Sequence, residues 1–276
     1  MSEPAAINRG RTWPTHVVLS VGAATMVFPF AWQIILSLST QSEATSATPT
    51  FPAAPNLDNY ALVFERLPFL SQFWVSVLIT VLRTVAQLVL CSMAGYAFAR
   101  MRFRGRDALL AVTLSVLMVP SQVYLIPQYE IVESMQWLNT VQGVVAPGLF
   151  SAFGTFLMRQ FFASLPIELE EAARLDGCNP FQVFWRVMLP LTRPGLVALA
   201  IITVLWSWND LLWPLVVTTD GTRMPLSVGL ASLQGERSTQ IPLVMAASLL
   251  AMAPILVLFI TLQRRVIEGI AHTGLK

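Results

Sequence analysis

The chain has 276 residues, 55% of them hydrophobic and only 12% charged, with a mean hydropathy of +0.65. An ordinary soluble domain carries about 25% charged residues, so this composition predicts an all-α polytopic membrane protein. A net charge of +2 spread over short basic clusters excludes nucleic acid as a partner; Cys91 and Cys178, without paired spacing or a nearby histidine, exclude a disulfide framework and a zinc site.

A membrane crossing needs about 20 predominantly apolar residues. Runs of this kind predict six transmembrane helices near 17–38, 73–98, 108–128, 140–162, 195–217 and 242–263, in one transmembrane domain covering 1–276. The first run follows Arg9 and Arg11, as a signal peptide would. At 22 residues it exceeds the roughly 7–15 of a signal's apolar region, so it is read as a span. Pro29, Pro120, Pro147 and Pro254 fall inside the runs, where neighbouring helices can re-satisfy the backbone groups they free.

Basic residues set the orientation. Thirteen of the 17 fall on one side of these spans; Arg66, Arg223 and Arg237 fall on the other, and Arg83 lies within the second span. The positive-inside bias places both termini in the cytoplasm and the segments 39–72, 129–139 and 218–241 outside.

In the second span Ser76, Thr80, Arg83 and Gln87 recur at i, i+4, i+7 and i+11, a single helical stripe. An intramembrane arginine costs about 2.5–3.5 kcal/mol on insertion scales, so the stripe is expected to face protein or water. Either a buried interhelical hydrogen-bond network or a translocation path satisfies that condition.

Between the fourth and fifth runs lies a charged, proline-punctuated segment, 164–194, which includes "LPIELEEAARLDGCNPFQVFWRVMLP". Ser164 can cap a short helix, with Glu168, Glu170 and Glu171 near its positive end. Glu170 and Arg174 have the favourable i, i+4 order, and Gly177 supplies a C-terminal cap. Asn179, Pro180 and Gln182 then fit an N-cap, a first helical residue and a capping box, with the second helix stopping before Pro190. The prediction is a cytoplasmic helical hairpin between helices 4 and 5. It either joins two spans or presents the small residues Ala172 and Ala173 as a docking face.

In the fifth run, Trp206, Asn209, Asp210 and Trp213 fall at i, i+3, i+4 and i+7. An aromatic face with a carboxylate and an amide suits a sugar, and tryptophan also favours membrane interfaces, so both roles fit. The external segment 218–241 carries three glycines and the polar run "QGERSTQ". Nothing in the sequence forms a nucleophile–base pair or a metal cluster, and His16 and His272 stand alone. No catalytic or metal-ligating residue is assigned. A Walker A loop needs a lysine, and the only one is Lys276, the final residue, so the chain is not read as an ATPase.

The segment "EEAARLDGCNPFQVFWRVMLPLTRP" resembles the EAA loop of ABC-importer permeases, with Glu171, Ala172, Ala173, Asp176, Gly177, Leu189 and Pro190 at its motif positions. Cys178 stands where many relatives have alanine. The stretches "AGYAFARMRFRGR", "WSWNDLLWPLVV", "MPLSVGL" and "QRRVIEGIAHTGLK" are similar to the carbohydrate-importer branch, of the maltose, glycerol-phosphate and amino-sugar kind. Val75 before Ser76 and the ending "AHTGLK" depart from the common pattern.

The resemblance implies a permease subunit in a bacterial inner membrane. It would pair with a second homologous permease, sit on two cytoplasmic ATPase subunits that use ATP and Mg, and receive solute from an extracytoplasmic binding protein. The chain itself would bind no cofactor. The resemblance assigns Glu171, Ala172, Ala173, Asp176, Gly177, Leu189 and Pro190 to ATPase coupling, and Gln234, Gly235, Glu236 and Arg237 to a loop contacting the binding protein. Arg83, Gln87, Trp206, Asn209, Asp210 and Trp213 are the candidates for a translocation path. An ion-gradient-driven secondary transporter is the alternative; it would normally show paired repeats and interrupted helices in both halves.

Overall fold

Helix is the only regular structure among the residues that the computed structural model describes, 12–46, 51–234 and 240–271. They group into two units, one of residues 1–66 with 233–251 and one of residues 67–232 with 252–276.

The first unit contains α1 (Thr12–Ser37), α2 (Gln41–Ala44) and α3 (Asp58–Arg66). Buried Asn59 of α3 donates from Nδ2 to the carbonyls of Ser37 (2.9 Å) and Ser39 (3.0 Å), which lie at the end of α1 and lack helical partners. A capping box joins Thr40 and Glu43 at the start of α2. Backbone hydrogen bonds from Thr40 and Ala53, with the Thr40 hydroxyl, hold the Glu43 carboxyl below the usual carboxylate range.

The second unit is organised around α4 (Phe69–Arg100), a 32-residue helix. It is followed by α5 (Arg106–Ser115), 3₁₀ turns at Val116–Met118 and Ser121–Tyr124, α6 (Leu125–Ser134), α7 (Val141–Val145), a 3₁₀ turn at Ala146–Gly148 and α8 (Ala152–Ser164). Next come α9 (Glu168–Leu175), α10 (Pro180–Gln182), a π-helical turn at Val183–Met188, α11 (Leu189–Leu191), α12 (Arg193–Trp208), α13 (Leu212–Val217) and α14 (Leu226–Ser232). The last helix, α15 (Ile241–Ala271), begins in the first unit and ends in the second. Helices α4 and α8 pack at close range: a Cβ on Gly95 would sit 2.8 Å from Met158 Cβ and from Arg159 N, so the glycine permits the approach.

Among the described residues, three helices are long and apolar enough to cross a membrane, over Trp13–Ser37, Phe69–Arg100 and Ile241–Thr261. Three further apolar helix pairs are sharply bent: Arg106–Met118 with Ser121–Ser134 by 96°, Val141–Gly148 with Ala152–Ser164 by 45°, and Pro180–Leu191 with Arg193–Trp208 by 76°. Counting each pair as one crossing gives six.

The bends depart from the straight runs read in the sequence. The 108–128 run breaks at Val119 and Pro120, and the 195–217 run breaks after Trp208. Proline explains the second break. Its ring would clash with the carbonyl four residues earlier and it has no N–H to offer, so Pro214 disfavours a helix through Asp210. The freed Asp210 carbonyl instead accepts from Ser227 Oγ at 2.6 Å. Pro147 has the same effect on Gly143, whose carbonyl accepts from Trp213 Nε1 at 3.1 Å. Side chains from elsewhere in the unit thus satisfy backbone groups that would be unaffordable if left bare in lipid.

Pro190 behaves differently from expectation, because the helix runs past it to Leu191. The preceding π-helical turn, in which Leu189 N–H donates five residues back to Phe184 O, widens the helix where the proline ring must fit.

Candidate functional site

Helix α9 is short and closed at its C-terminal end; its start at Ile167 has no side-chain cap, because Ser164, expected to cap it, lies at the end of α8 and donates to Phe161 O instead. The Gly177 N–H donates to Arg174 O and the Cys178 N–H to Ala173 O, both at 3.0 Å, which satisfies the last carbonyls of α9. Gly177 adopts φ +83°, a conformation that a side chain disfavours. Directly afterwards, Asn179 N–H donates to Gln182 Oε1 and Gln182 N–H to Asn179 Oδ1, each at 2.9 Å. The corner and the cap expected at these residues therefore form.

The two sides of α9 differ in character. Glu170 and Ala173, three residues apart, are buried, whereas Glu171, Ala172, Asp176 and Leu175 face outward, Leu175 with 89% of its surface exposed. Ala173 thus leaves the outward patch that the sequence suggested it would share with Ala172. It packs in a cluster with Tyr96, Phe162, Val183, Phe184 and Met188, where the Tyr96 ring lies 5.4 Å from Phe162 and 5.1 Å from Phe184. Aromatic pairs of this kind add about 0.5–1.5 kcal/mol each beyond their area. Leu189 is partly buried against the same cluster and Pro190 is half-buried, so both position the return toward α12.

Glu170, which sequence reasoning did not single out as a site residue, is the buried anchor. Its carboxylate lies 3.4 Å from Arg100 Nε and 3.6 Å from the guanidinium of Arg174, the i, i+4 pair expected from the sequence. Arg100 also donates from Nε (3.0 Å) and NH2 (2.7 Å) to Phe162 O, and from NH2 to Leu165 O, at the C-terminal end of α8. The signal available in sequence was the helical period, which sets Glu170 and Ala173 on one side and Glu171 and Leu175 on another.

A second cluster lies along α4. Ser76, Thr80, Arg83 and Gln87 are all buried, as a stripe facing protein requires. Arg83, only 7% exposed, donates from NH1 to Asp210 Oδ2 at 2.8 Å and from NH2 to Val144 O at 2.6 Å. Gln87 donates to Gly148 O at 2.8 Å and accepts from Thr203 Oγ1 at 2.9 Å, while Ser76 Oγ accepts from Leu226 N–H at 2.7 Å. The breaks at Gly148 and Asp210 thus meet beside one ion pair whose arginine is buried and whose aspartate is partly exposed.

Beside that pair is a cavity of about 230 Å³, lined by Arg83, Asp210, Tyr124, Gln128, Gly148 and Trp213, among others. The helix break after Trp208 separates the four residues read as one face. Asp210 and Trp213 line the cavity, whereas Asn209 turns its amide back to Leu205 O and Trp206 is exposed, its ring tilted against Phe153 at 5.5 Å. Tyr124 and Gln128 enter the site unannounced, since only the turn at Pro120 brings them there.

The segment after α13 is tied to α4 as well. Gln72 donates to Gly221 O at 2.9 Å and Ser71 to Thr222 O at 2.7 Å. Hydrogen bonds from the Thr222 N–H and hydroxyl hold the Asp220 carboxyl below its usual range, with a smaller contribution from Arg223. Of the residues expected to touch a binding protein, Gln234 is exposed, and Gly235, Glu236 and Arg237 lie outside the described residues.

The model of the family described as "Binding-protein-dependent transport system inner membrane component" matches residues 87–272. The arabinooligosaccharides transport system permease protein AraQ of Halalkalibacterium halodurans is 34% identical over 273 residues, covering 96% of each chain. The lactose transport system permease protein LacG of Rhizobium radiobacter is 33% identical, over 92% of this chain and 93% of that one. The sn-glycerol-3-phosphate transport system permease protein UgpE of Salmonella typhi is also 33% identical, over 96% and 98%. In fold, the chain is similar to one in the crystal structure of a bacterial ABC transporter involved in the import of the acidic polysaccharide alginate. The TM-score is 0.79 at 22% identity, over 96% of this chain and 99% of that one. The match over most of its length, with the bent apolar helices, places this multi-pass chain in the inner-membrane permease family of binding-protein-dependent transport systems.

Proposed function

We propose that the chain is a permease subunit of an ATP-driven importer that carries a carbohydrate or sugar derivative into the cytoplasm by alternating access. Hydrolysis would occur on two separate ATPase subunits using ATP and Mg, with a second homologous permease completing the pathway and an extracytoplasmic binding protein delivering solute. The observation that carries this reading is the construction of α9: one side is fixed by Glu170 and Ala173, while the other offers Glu171, Ala172 and Leu175 to a partner. The basic bias puts this helix and both termini in the cytoplasm. Named relatives belong to transport systems for arabinooligosaccharides, lactose and sn-glycerol-3-phosphate, all of which carry free hydroxyls.

In this reading the cavity beside Arg83 and Asp210 lies on the solute's path, and Gln87 and Trp213 hold its walls in place. The ion pair leaves no uncompensated charge, a setting suited to a polyhydroxylated solute that needs donors and acceptors. Trp206 and Asn209 belong to the outer surface of the same region.

Reconstitution tests the proposal. Uptake into proteoliposomes is expected only with ATP and the separate ATPase subunits present; uptake by this chain alone under an ion gradient would overturn it. In the complete system Gln128→Ala is expected to remove one hydrogen bond to solute, worth about 0.5–1.5 kcal/mol. Half-saturation for import then rises roughly two- to twelvefold, without change in ATPase binding. An unchanged half-saturation removes Gln128 from the path.

A further inference from the structure

Arg100 is the last residue of α4, yet it is only 10% exposed in its side chain, and its ion-pair partner Glu170 on α9 is 5% exposed. A buried ion pair is weak support for stability, because the desolvation of both charges offsets their attraction. Its geometry is more informative. One guanidinium holds three pieces of chain at once: its own helix α4, the C-terminal carbonyls of α8 through Phe162 and Leu165, and α9 through Glu170.

The surroundings make this junction stiff. Tyr96, one turn before Arg100, packs on Phe162 of α8 and Phe184 of the π-helical turn, and Gly95 lets α4 and α8 approach closely. Apolar contacts resist compression but slide readily. A guanidinium fork hydrogen-bonded to two carbonyls resists sliding and rotation, since those bonds are directional, and the Glu170 carboxylate, 3.4 Å from Nε, is held to it by ionic attraction.

We propose that the Arg100–Glu170 pair is the positioning link that converts displacement of α9 into displacement of α4, the helix that carries Arg83 and the cavity wall. This rests on α9 being the ATPase-facing element. Glu171 then meets the partner, and Glu170, one position earlier and turned about 100° into the protein, passes the motion inward. Arg174, the more exposed second cation on Glu170, steadies the carboxylate from outside.

The test uses the complete transporter in proteoliposomes, with solute import and ATP hydrolysis measured together. Glu170→Gln keeps the side chain's shape and leaves Arg100 on its two carbonyls while removing the charge. The variant is expected to retain its ATPase subunits and to hydrolyse ATP, but to import roughly tenfold less solute per ATP, the scale of a typical coupling free energy. Arg100→Lys, which keeps the charge and loses the fork, is expected to show the same separation of hydrolysis from import. The double variant is expected to be no worse than either single one. An unchanged import yield per ATP, additive losses in the double variant, or loss of the ATPase subunits from Glu170→Gln would each overturn the proposal. Failure of the underlying reading looks different: the wild-type chain would then import without any ATPase subunit.

Discussion

Asp210→Ala is expected to destabilise the protein by about 3–5 kcal/mol, the usual cost of stripping a buried charge of its partner. Arg83 would keep its hydrogen bond to Val144 O but lose the carboxylate that neutralises it inside the membrane segment. The damage would spread, because the same region depends on the Asp210 carbonyl receiving Ser227 and the Gly143 carbonyl receiving Trp213. The matched replacement Arg83→Met with Asp210→Leu is expected to recover most of the stability, since no charge is then stranded, yet to leave transport impaired if the pair lies on the solute's path. Thermal unfolding of the detergent-solubilised protein checks the first part and uptake checks the second. An unchanged unfolding midpoint in Asp210→Ala would mean that the ion pair does not hold the broken helices together.

Glu171→Lys is the second large effect. The residue lies on the outward side of α9 beside Ala172, with no ion-pair partner among the described residues. Its carboxylate is therefore available to a partner's cation. Reversing a charge at the centre of a docking face removes one attraction and adds one repulsion, for which about 2–5 kcal/mol is typical. Capture of the ATPase subunits by the solubilised permease pair should weaken by roughly 30-fold or more, with the permease itself folded as before. Gly177→Leu should act on the same assembly by another route, because a branched side chain is strained at φ +83° and would turn α9 away from its setting. Normal co-purification of the ATPase subunits with Glu171→Lys would contradict the assignment of this face.

The local grammar of segment 164–194 was legible in the sequence because each of its signals acts within a few residues. Gly177 ends α9, Asn179 and Gln182 cap the next turn, and Glu170 reaches Arg174, each as spacing alone requires. The polar stripe on α4 was legible for the same reason: four buried positions on one helix share a single periodicity. The breaks were harder to read. Pro147 and Pro214 announce that a carbonyl will be freed, but the residues that take those carbonyls, Trp213 and Ser227, are 70 and 17 positions away from them.

Two departures come from geometry at the scale of one residue. A helix turns about 100° per residue, so the step from Glu170 to Glu171 separates a buried anchor from an outward contact. The π-helical turn before Pro190 inserts just enough backbone to carry the helix through a residue that ordinarily ends one. Tyr124 and Gln128 joined the cavity only because the chain reverses by 96° near Pro120.

Site-directed cross-linking shows whether the outward side of α9 receives the ATPase. With Cys91 and Cys178 replaced by serine, a single cysteine is placed by Ala172→Cys, and the complete transporter is treated with a short bifunctional thiol reagent against cysteines introduced across the ATPase surface. A cross-link from position 172 to the ATPase subunit, absent from a control at the exposed, opposite-lying Trp206→Cys, is the predicted result. Efficient cross-linking at position 206 with none at 172 would contradict it.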